Sequence, residues 1–115
     1  MNAIIVKPVI TNTGVQTKFT ELQVEANEHT LLKNLCPFIE CKYVEHFSLI
    51  ANRVTYDTWF DDAGKLAEKC PCVYIYDKQD WIAGNIAITK RDLSDFTEKD
   101  LQNIKKYFEK NKIIF

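Results

Sequence analysis

The sequence is poor in the residues on which several large functional classes depend. Its 115 residues include only two arginines, Arg53 and Arg91, and two histidines, His29 and His46. Fifteen basic residues against sixteen acidic ones leave a net charge of −1, so no overall field draws in nucleic acid or anionic lipid. Since arginine is the preferred bidentate reader of phosphates and base edges, its scarcity further argues against a nucleic-acid partner.

Several sequence motifs are also missing. The chain has no HExxH pair, nucleophile elbow or papain-like Cys/His context, and the segment at Gly64 lacks the residues of a Walker loop. No run approaches the ~18 apolar residues that cross a bilayer, and residues 1–8 lack the basic segment of a signal peptide. These absences predict no catalytic residue, cofactor, metal or membrane partner, and a cytoplasmic protein with reduced cysteines.

The residues that are present indicate a folded α+β protein. The apolar content of 46% and the aromatic content of 12% argue against disorder. The length predicts a single compact domain over residues 1–115. Alternating strand-like segments and two helical segments predict an antiparallel or mixed sheet of about five strands packed with two helices.

The N-terminal half predicts a hairpin followed by a short helix. Residues 3–6 read as a buried strand stopped by Pro8, and residues 15–19 alternate like a half-buried strand after a turn at 11–14. A helix capped at Asn27 or Thr30 should carry the leucines that follow and end before Pro37.

The remaining chain is strand-like until its last helix. Residues 38–60 favour β structure, with a turn at 51–53, and further strands are expected at 73–76 and 86–88. Gly84 and Asn85 should provide a positive-φ bend or bulge within a strand. The best-defined element is a C-terminal helix, because the sequence from Thr97 to Asp100 resembles a capping box and an apolar stripe follows it at Leu101, Ile104, Tyr107 and Phe108.

Two sets of polar residues leave alternatives open. Cys36, Cys41, Cys70 and Cys72 offer four thiols for zinc, but their spacing is wrong for the common site, and small buried side chains explain them as well. The acidic residues Asp57 and Asp61 could serve a metal-dependent hydrolase. Asp61 is also explained by turn chemistry, because its side chain can bond the backbone amide two residues on.

Aromatic side chains are the main signal for binding. The chain has two Trp, five Tyr and seven Phe, and several fall in the strand-rich middle, where some must face outward. An outward Trp or Tyr beside a cation can stack a base or hold a partner. The predicted ligand-binding residues are Trp59, Trp81, Arg53, Tyr56, Lys65, Asn85 and Arg91.

The middle of the chain resembles a known family. The pattern from Asp57 through Trp59 and Asp61 to Leu66, followed by residues 84–88, is similar to that of small uncharacterised domains carried by phages and mobile elements. The resemblance covers roughly residues 40 to 108 and departs from the family at residues 70–72. It implies an accessory protein in a bacterial host cytosol, and it assigns no catalytic residue.

Three functions follow from these patterns. The first is a non-enzymatic counter-defence factor that binds and inhibits a host component, either by occluding a host protein or by sequestering a nucleotide signal. The second is a small metal-dependent hydrolase acting on a nucleotide or phosphodiester. The third is a self-associating structural module, suggested by strand edges and by the apolar C-terminal residues 113–115, which would make the protein a homo-oligomer.

Overall fold

The computed structural model describes residues 2–24, 30–75 and 79–115. Within these ranges the chain forms seven strands and two helices, as the sequence pattern predicts for an α+β protein. The elements are β1 (Asn2–Ile10), β2 (Val15–Gln23), α1 (Leu31–Ile39), β3 (Val44–Ala51), β4 (Val54–Asp61), β5 (Pro71–Ile75), β6 (Asp80–Ala83), β7 (Ile86–Lys90) and α2 (Glu98–Lys110). None of the described helices is both long enough and apolar enough to span a membrane.

The main sheet is antiparallel, in the order β2-β1-β7-β4-β3. The strands β5 and β6 form a separate two-stranded hairpin. Because side chains alternate across a strand, the central strands bury both faces. One face packs against α2 and the β5–β6 hairpin, and the other packs against α1.

Strand β1 runs through the proline that was expected to stop it. Pro8 lies opposite Thr17 in the β1–β2 ladder. The backbone amide of Thr11 donates to the carbonyl of Gly14, so these two residues form a hydrogen-bonded pair. Because hydrogen-bonded and non-hydrogen-bonded pairs alternate along an antiparallel ladder, Pro8 and Thr17 form a non-hydrogen-bonded pair. The Pro8 nitrogen therefore points away from β2. On that side β7 pairs only with Ile4–Val6, so no ladder hydrogen bond is lost at Pro8.

Helix α1 likewise continues past the position where the sequence predicts its end. Pro37 lies inside the last turn, and the helix ends at Ile39. Glu40 adopts a left-handed conformation with φ of 59°, and its backbone amide donates to the carbonyl of Cys36 at 2.8 Å. Thr30 occupies the N-cap position without a side-chain cap bond, while Asn27 lies outside the described residues. Residues 38 and 39, expected as strand, are therefore helical.

The capping box of α2 is confirmed, and it is tied to the sheet. Thr97 accepts from the Asp100 amide at 3.2 Å, and the Asp100 carboxylate accepts from the Thr97 amide at 2.8 Å. The same carboxylate accepts from the hydroxyl of Tyr56 at 2.7 Å and pairs with Lys90 at 3.1 Å. Burial, followed by the bond to Asp100, raises the pKa of Tyr56 to about 12, so its hydroxyl stays a donor.

Two turns follow the sequence prediction, and one differs in its context. Asn52 and Arg53 have φ of 50° and 65°, which gives the two-residue hairpin turn between β3 and β4. Asp61 accepts from the amide of Ala63 at 3.1 Å, as expected of an aspartate at the start of a turn. Gly84 has the expected positive φ of 92°, but it joins β6 to β7, which belong to different sheets, rather than bending one strand.

Candidate functional site

The outer edge of β3 is the basis of the candidate site. β3 ends the order of the main sheet, and in the part of the chain that the structure describes no strand pairs with its outer side. Its pairing with β4 continues without a bulge from Val44 to Ala51. Protein edges of this length commonly carry charged side chains, especially lysine, a proline or a bulge that discourages pairing; β3 has no lysine, proline or bulge, and its one carboxylate is the exposed Glu45.

The direction of the backbone groups along β3 follows from the register. The amide of Asp62 donates to the carbonyl of Tyr43 at 3.2 Å, which makes this a hydrogen-bonded pair. Because hydrogen-bonded and non-hydrogen-bonded pairs alternate in an antiparallel ladder, the next odd-numbered residues also face β4. The residues whose amides and carbonyls face outward are Val44, His46, Ser48 and Ile50.

A polar network, here called the sheet-face cluster, lies on the same side of β3 and its neighbours. Its members are His46, Ser48, Asp57 and Arg91. Asp57 accepts from His46 at 3.0 Å and from Arg91 at 3.4 Å. Arg91 also donates to the Ser48 hydroxyl at 2.7 Å. One carboxylate thus holds an imidazole and a guanidinium in place beside the edge.

The sheet-face cluster positions polar groups but does not assemble a nucleophile. A catalytic serine needs its hydroxyl bonded to the histidine that the aspartate orients. Here the Ser48 hydroxyl is bonded to Arg91 instead, and the His46 ring packs against Trp59 with ring centroids 4.6 Å apart. The arrangement suits recognition of a partner's polar group better than proton transfer from Ser48.

An apolar depression of about 990 Å³ lies where α1 meets the start of β3. Leu32 and Tyr43 are exposed at its rim, and Val44 links it to the edge strand. The charged side chains of Lys33 and Lys42 lie around it. We call the outer edge of β3, the sheet-face cluster and this depression together the docking surface.

Two of the predicted ligand-binding residues belong to this region. Arg91 is part of the sheet-face cluster. Trp59 lies on the same face, half-buried under α1, with its indole nitrogen donating to Thr89 at 3.0 Å. The indole N–H of Trp59 is therefore already hydrogen-bonded within the protein, and its ring packs against the His46 ring instead of being open to a ligand.

A second pair of predicted residues meets elsewhere. The ammonium of Lys65 lies 4.2 Å from the ring centroid of Trp81, which is half-exposed on β6. Lys65 also forms an ion pair with Asp80. One face of the indole is thus covered by a cation whose charge Asp80 balances.

The remaining predicted residues do not converge on either place. Tyr56 is 0% exposed, in the core beneath α2, so it cannot stack on a surface ligand. Arg53 lies exposed in the β3–β4 turn. Asn85 donates to the carbonyl of Phe38 at 2.9 Å and thereby ties α1 to the β6–β7 connection. The seven residues therefore do not form one site.

The acidic residues and the cysteines are separated as well. Asp61 is buried and pairs with Lys69 at 2.9 Å, whereas Asp57 pairs within the sheet-face cluster. Four residues along a strand span about 13 Å, too far for both carboxylates to share one metal ion. Among the described residues no group of three or more His, Cys, Asp and Glu side chains could hold a metal. Cys36 and Cys41 do meet each other.

Comparison with known proteins finds no matching family model, no matching curated protein and no matching solved structure. The resemblance to phage domains therefore stays a prediction. Sequence reasoning missed His46 and Ser48 as candidates. Their alternation with the buried Phe47 and Leu49 is a readable strand signal, but nothing in it marks β3 as an edge.

Proposed function

We propose that the protein is a small accessory protein of a phage or mobile element that binds a host protein in the bacterial cytosol and blocks it without catalysis, as a counter-defence factor. The observation that supports this best is the outer edge of β3, with backbone donors and acceptors on four alternate residues. An extended segment of a partner pairs with such an edge by adding a strand to the sheet.

The side chains around the edge suit a protein partner. Tyr43 at one end and Ile50 at the other are each 64% exposed and offer apolar anchors. Between them Asp57 holds His46 and Arg91 as oriented polar groups. Apolar anchors supply most of the affinity of an interface, while fixed polar groups set the register of the added strand.

Sequestration of a nucleotide has weaker support. A groove of about 840 Å³ between β2 and the end of α2 has Lys105, Lys106 and Lys112 in its lining, which suits an anion. However, none of the seven predicted ligand-binding residues lines it, and of its two aromatic side chains Phe108 is buried and Phe19 is half-buried against it. The docking surface therefore favours the protein-occluding form of the proposal.

The test is to replace Ser48 with proline. The change removes one outward amide without breaking a bond to β4, as Pro8 does in β1 of the same chain. We expect at least an approximately tenfold loss of affinity, about 1.4 kcal/mol, because one backbone donor is lost and the ring obstructs the added strand. Affinity is measured with a host protein captured by the wild-type protein from bacterial lysate and then purified.

The matched control is Ser48→Ala, which removes the hydroxyl bound to Arg91 but keeps the amide. It should bind the captured protein nearly as tightly as the wild-type protein. Hydrogen exchange supplies a second readout, because the outward amides of His46, Ser48 and Ile50 should become protected in the complex. Equal binding by a folded Ser48→Pro variant, or no added protection at these amides, would contradict strand addition.

Self-association is a second candidate, favoured by the side-chain order of β3. If two copies pair antiparallel about a two-fold axis at Phe47, Val44 lies opposite Ile50 of the other copy. In the same register His46 lies opposite Ser48. On this face apolar thus meets apolar and polar meets polar, the pattern that stabilises cross-strand pairs, whereas on the other face Glu45 lies opposite Leu49.

Sedimentation velocity over a range of concentrations separates the two candidates. A dimer that Ser48→Pro converts to a monomer would favour the structural module. A species that stays monomeric at all concentrations, and protects the outward amides only when the captured protein is added, would favour the inhibitor. In the dimer those amides would be protected without any partner.

A further inference from the structure

The end of α1 brings two thiols into contact. Cys36 lies in the last turns of the helix, and the left-handed conformation of Glu40 turns the chain back so that Cys41 reaches it. The Cys36 and Cys41 sulfur atoms are 2.8 Å apart. The Cys36 thiol also donates to the carbonyl of Cys41 at 2.7 Å. The amides of Glu40 and Cys41 both donate to the Cys36 carbonyl, so the backbone holds the pair together.

The pair is open to small molecules. Both thiols are half-buried and line the apolar depression, beside Pro37 and Tyr43. Cys72 differs, because it is 1% exposed and burial raises the pKa of its thiol. A small disulfide must reach a thiol before it can react, and Cys36 and Cys41 are two accessible thiols in contact with each other.

We propose that Cys36 and Cys41 form a reversible dithiol–disulfide site that reacts with small aliphatic disulfides such as glutathione disulfide. The inference does not depend on the proposed function. A Cys36 thiolate attacks one sulfur of the small disulfide and releases one thiolate, which leaves a mixed disulfide on Cys36. Cys41 loses its proton and displaces the second thiolate from the Cys36 sulfur. Two protein thiols are oxidised, and the small disulfide is reduced to two thiols that take up the two protons.

The order of attack follows from the surroundings of Cys41. Burial, followed by the hydrogen bond to Cys36, raises the pKa of Cys41 to about 12. Cys41 therefore keeps its proton while Cys36 reacts. Once Cys36 is part of a mixed disulfide, the Cys41 sulfur, which lies 2.8 Å from the Cys36 sulfur in the reduced pair, is placed to displace the second thiolate as the resolving thiol.

The oxidation state of Cys36 and Cys41 can be measured in the wild-type protein by digestion with trypsin. Trypsin cleaves after Lys33 and Lys42, so one peptide, residues 34–42, contains both Cys36 and Cys41. A second peptide, residues 70–78, contains the other two cysteines. The folded 115-residue protein is equilibrated in a glutathione redox buffer, quenched with acid and alkylated without reduction. It is then digested with trypsin, and the peptide masses are measured by mass spectrometry.

We expect the 34–42 peptide to become lighter by two hydrogen atoms and to resist alkylation, while the 70–78 peptide is alkylated twice. The same reaction in urea is the control and should give mixed pairings, including cross-links between the two peptides. In a Cys41→Ser variant, glutathione should remain attached to Cys36. Complete alkylation of the 34–42 peptide from the folded protein, or the same pairings with and without urea, would overturn the proposal.

Discussion

Replacing Asp100 with alanine should lower the free energy of unfolding by about 3–5 kcal/mol, because it removes one partner from a buried ion pair. The Asp100 side chain is 8% exposed and serves three elements at once. It caps α2 through Thr97, accepts from the buried Tyr56 hydroxyl and balances Lys90. Without it, the buried Tyr56 hydroxyl loses its acceptor, Lys90 loses its counter-ion, and the Thr97 amide loses its half of the capping box. Urea unfolding followed by circular dichroism measures the loss.

The control for this change is Glu98→Ala. Glu98 carries the same charge in the same first turn of α2, but it is exposed. Its loss should cost less than about 1 kcal/mol, the usual size of a helix-dipole contribution. A similar cost for both variants would mean that the buried network contributes little, and that only the helix terminus responds.

The same carboxylate should make stability depend on pH in the acid range. Burial alone would raise the pKa of Asp100, but the bonds from the Thr97 amide, the Tyr56 hydroxyl and Lys90 outweigh it and lower the pKa from 3.8 to about 2. Since the pKa is lower in the folded protein, the contribution is full above about pH 4 and is lost as the pH falls toward 2. Asp100→Asn should flatten this part of the curve of unfolding free energy against pH; an unchanged curve would contradict the assignment.

The second large effect is expected at Gly64, where alanine should cost about 1–3 kcal/mol, as overpacking does in a well-packed interior. A Cβ atom at this position would lie 2.5 Å from the carbonyl oxygen of Ala83 on β6. Because that oxygen belongs to the backbone, the clash can be relieved only by moving the turn at residues 61–64 away from β6. Because Lys65 follows directly, its contact with Trp81 should weaken as well.

Thermal unfolding and tryptophan fluorescence measure this change together. Asp62→Ala is the control, since Asp62 is exposed in the same turn and its backbone bond to Tyr43 does not depend on its side chain. It should alter stability by no more than about 0.5 kcal/mol. A Gly64→Ala variant as stable as the wild-type protein would show that the turn and β6 can separate at little cost.

The contrast between Gly64 and Asp61 shows where sequence reasoning reaches its limit. The sequence predicts that Asp61 starts a turn that includes Gly64, and the bond from the Ala63 amide to Asp61 confirms the turn. The pairing of Asp61 with Lys69 and the approach of Gly64 to Ala83 involve other elements of the fold. A turn preference concerns neighbouring residues, so it carries no information about what the turn packs against.

The two proline-based predictions of where an element ends were both wrong. The sequence predicts that β1 ends at Pro8 and that α1 ends before Pro37, but both prolines lie inside these elements. The local rule is sound, because proline lacks an amide donor. In β1 the missing amide of Pro8 costs no hydrogen bond, because β7 pairs with β1 only as far as Val6. For Pro8, the extent of the pairing between β1 and β7, which the sequence does not reveal, decided the outcome.

The sequence by itself determined the α+β class, the capped helix α2, the β3–β4 turn and the alternation of the strands, because these depend on residues within a few positions of each other. Only the tertiary structure decided that β3 lies at an edge, that Asp57 gathers His46 and Arg91, and that Tyr56 bonds a carboxylate 44 positions away. Those contacts arise when distant segments pack, and packing depends on the whole chain at once.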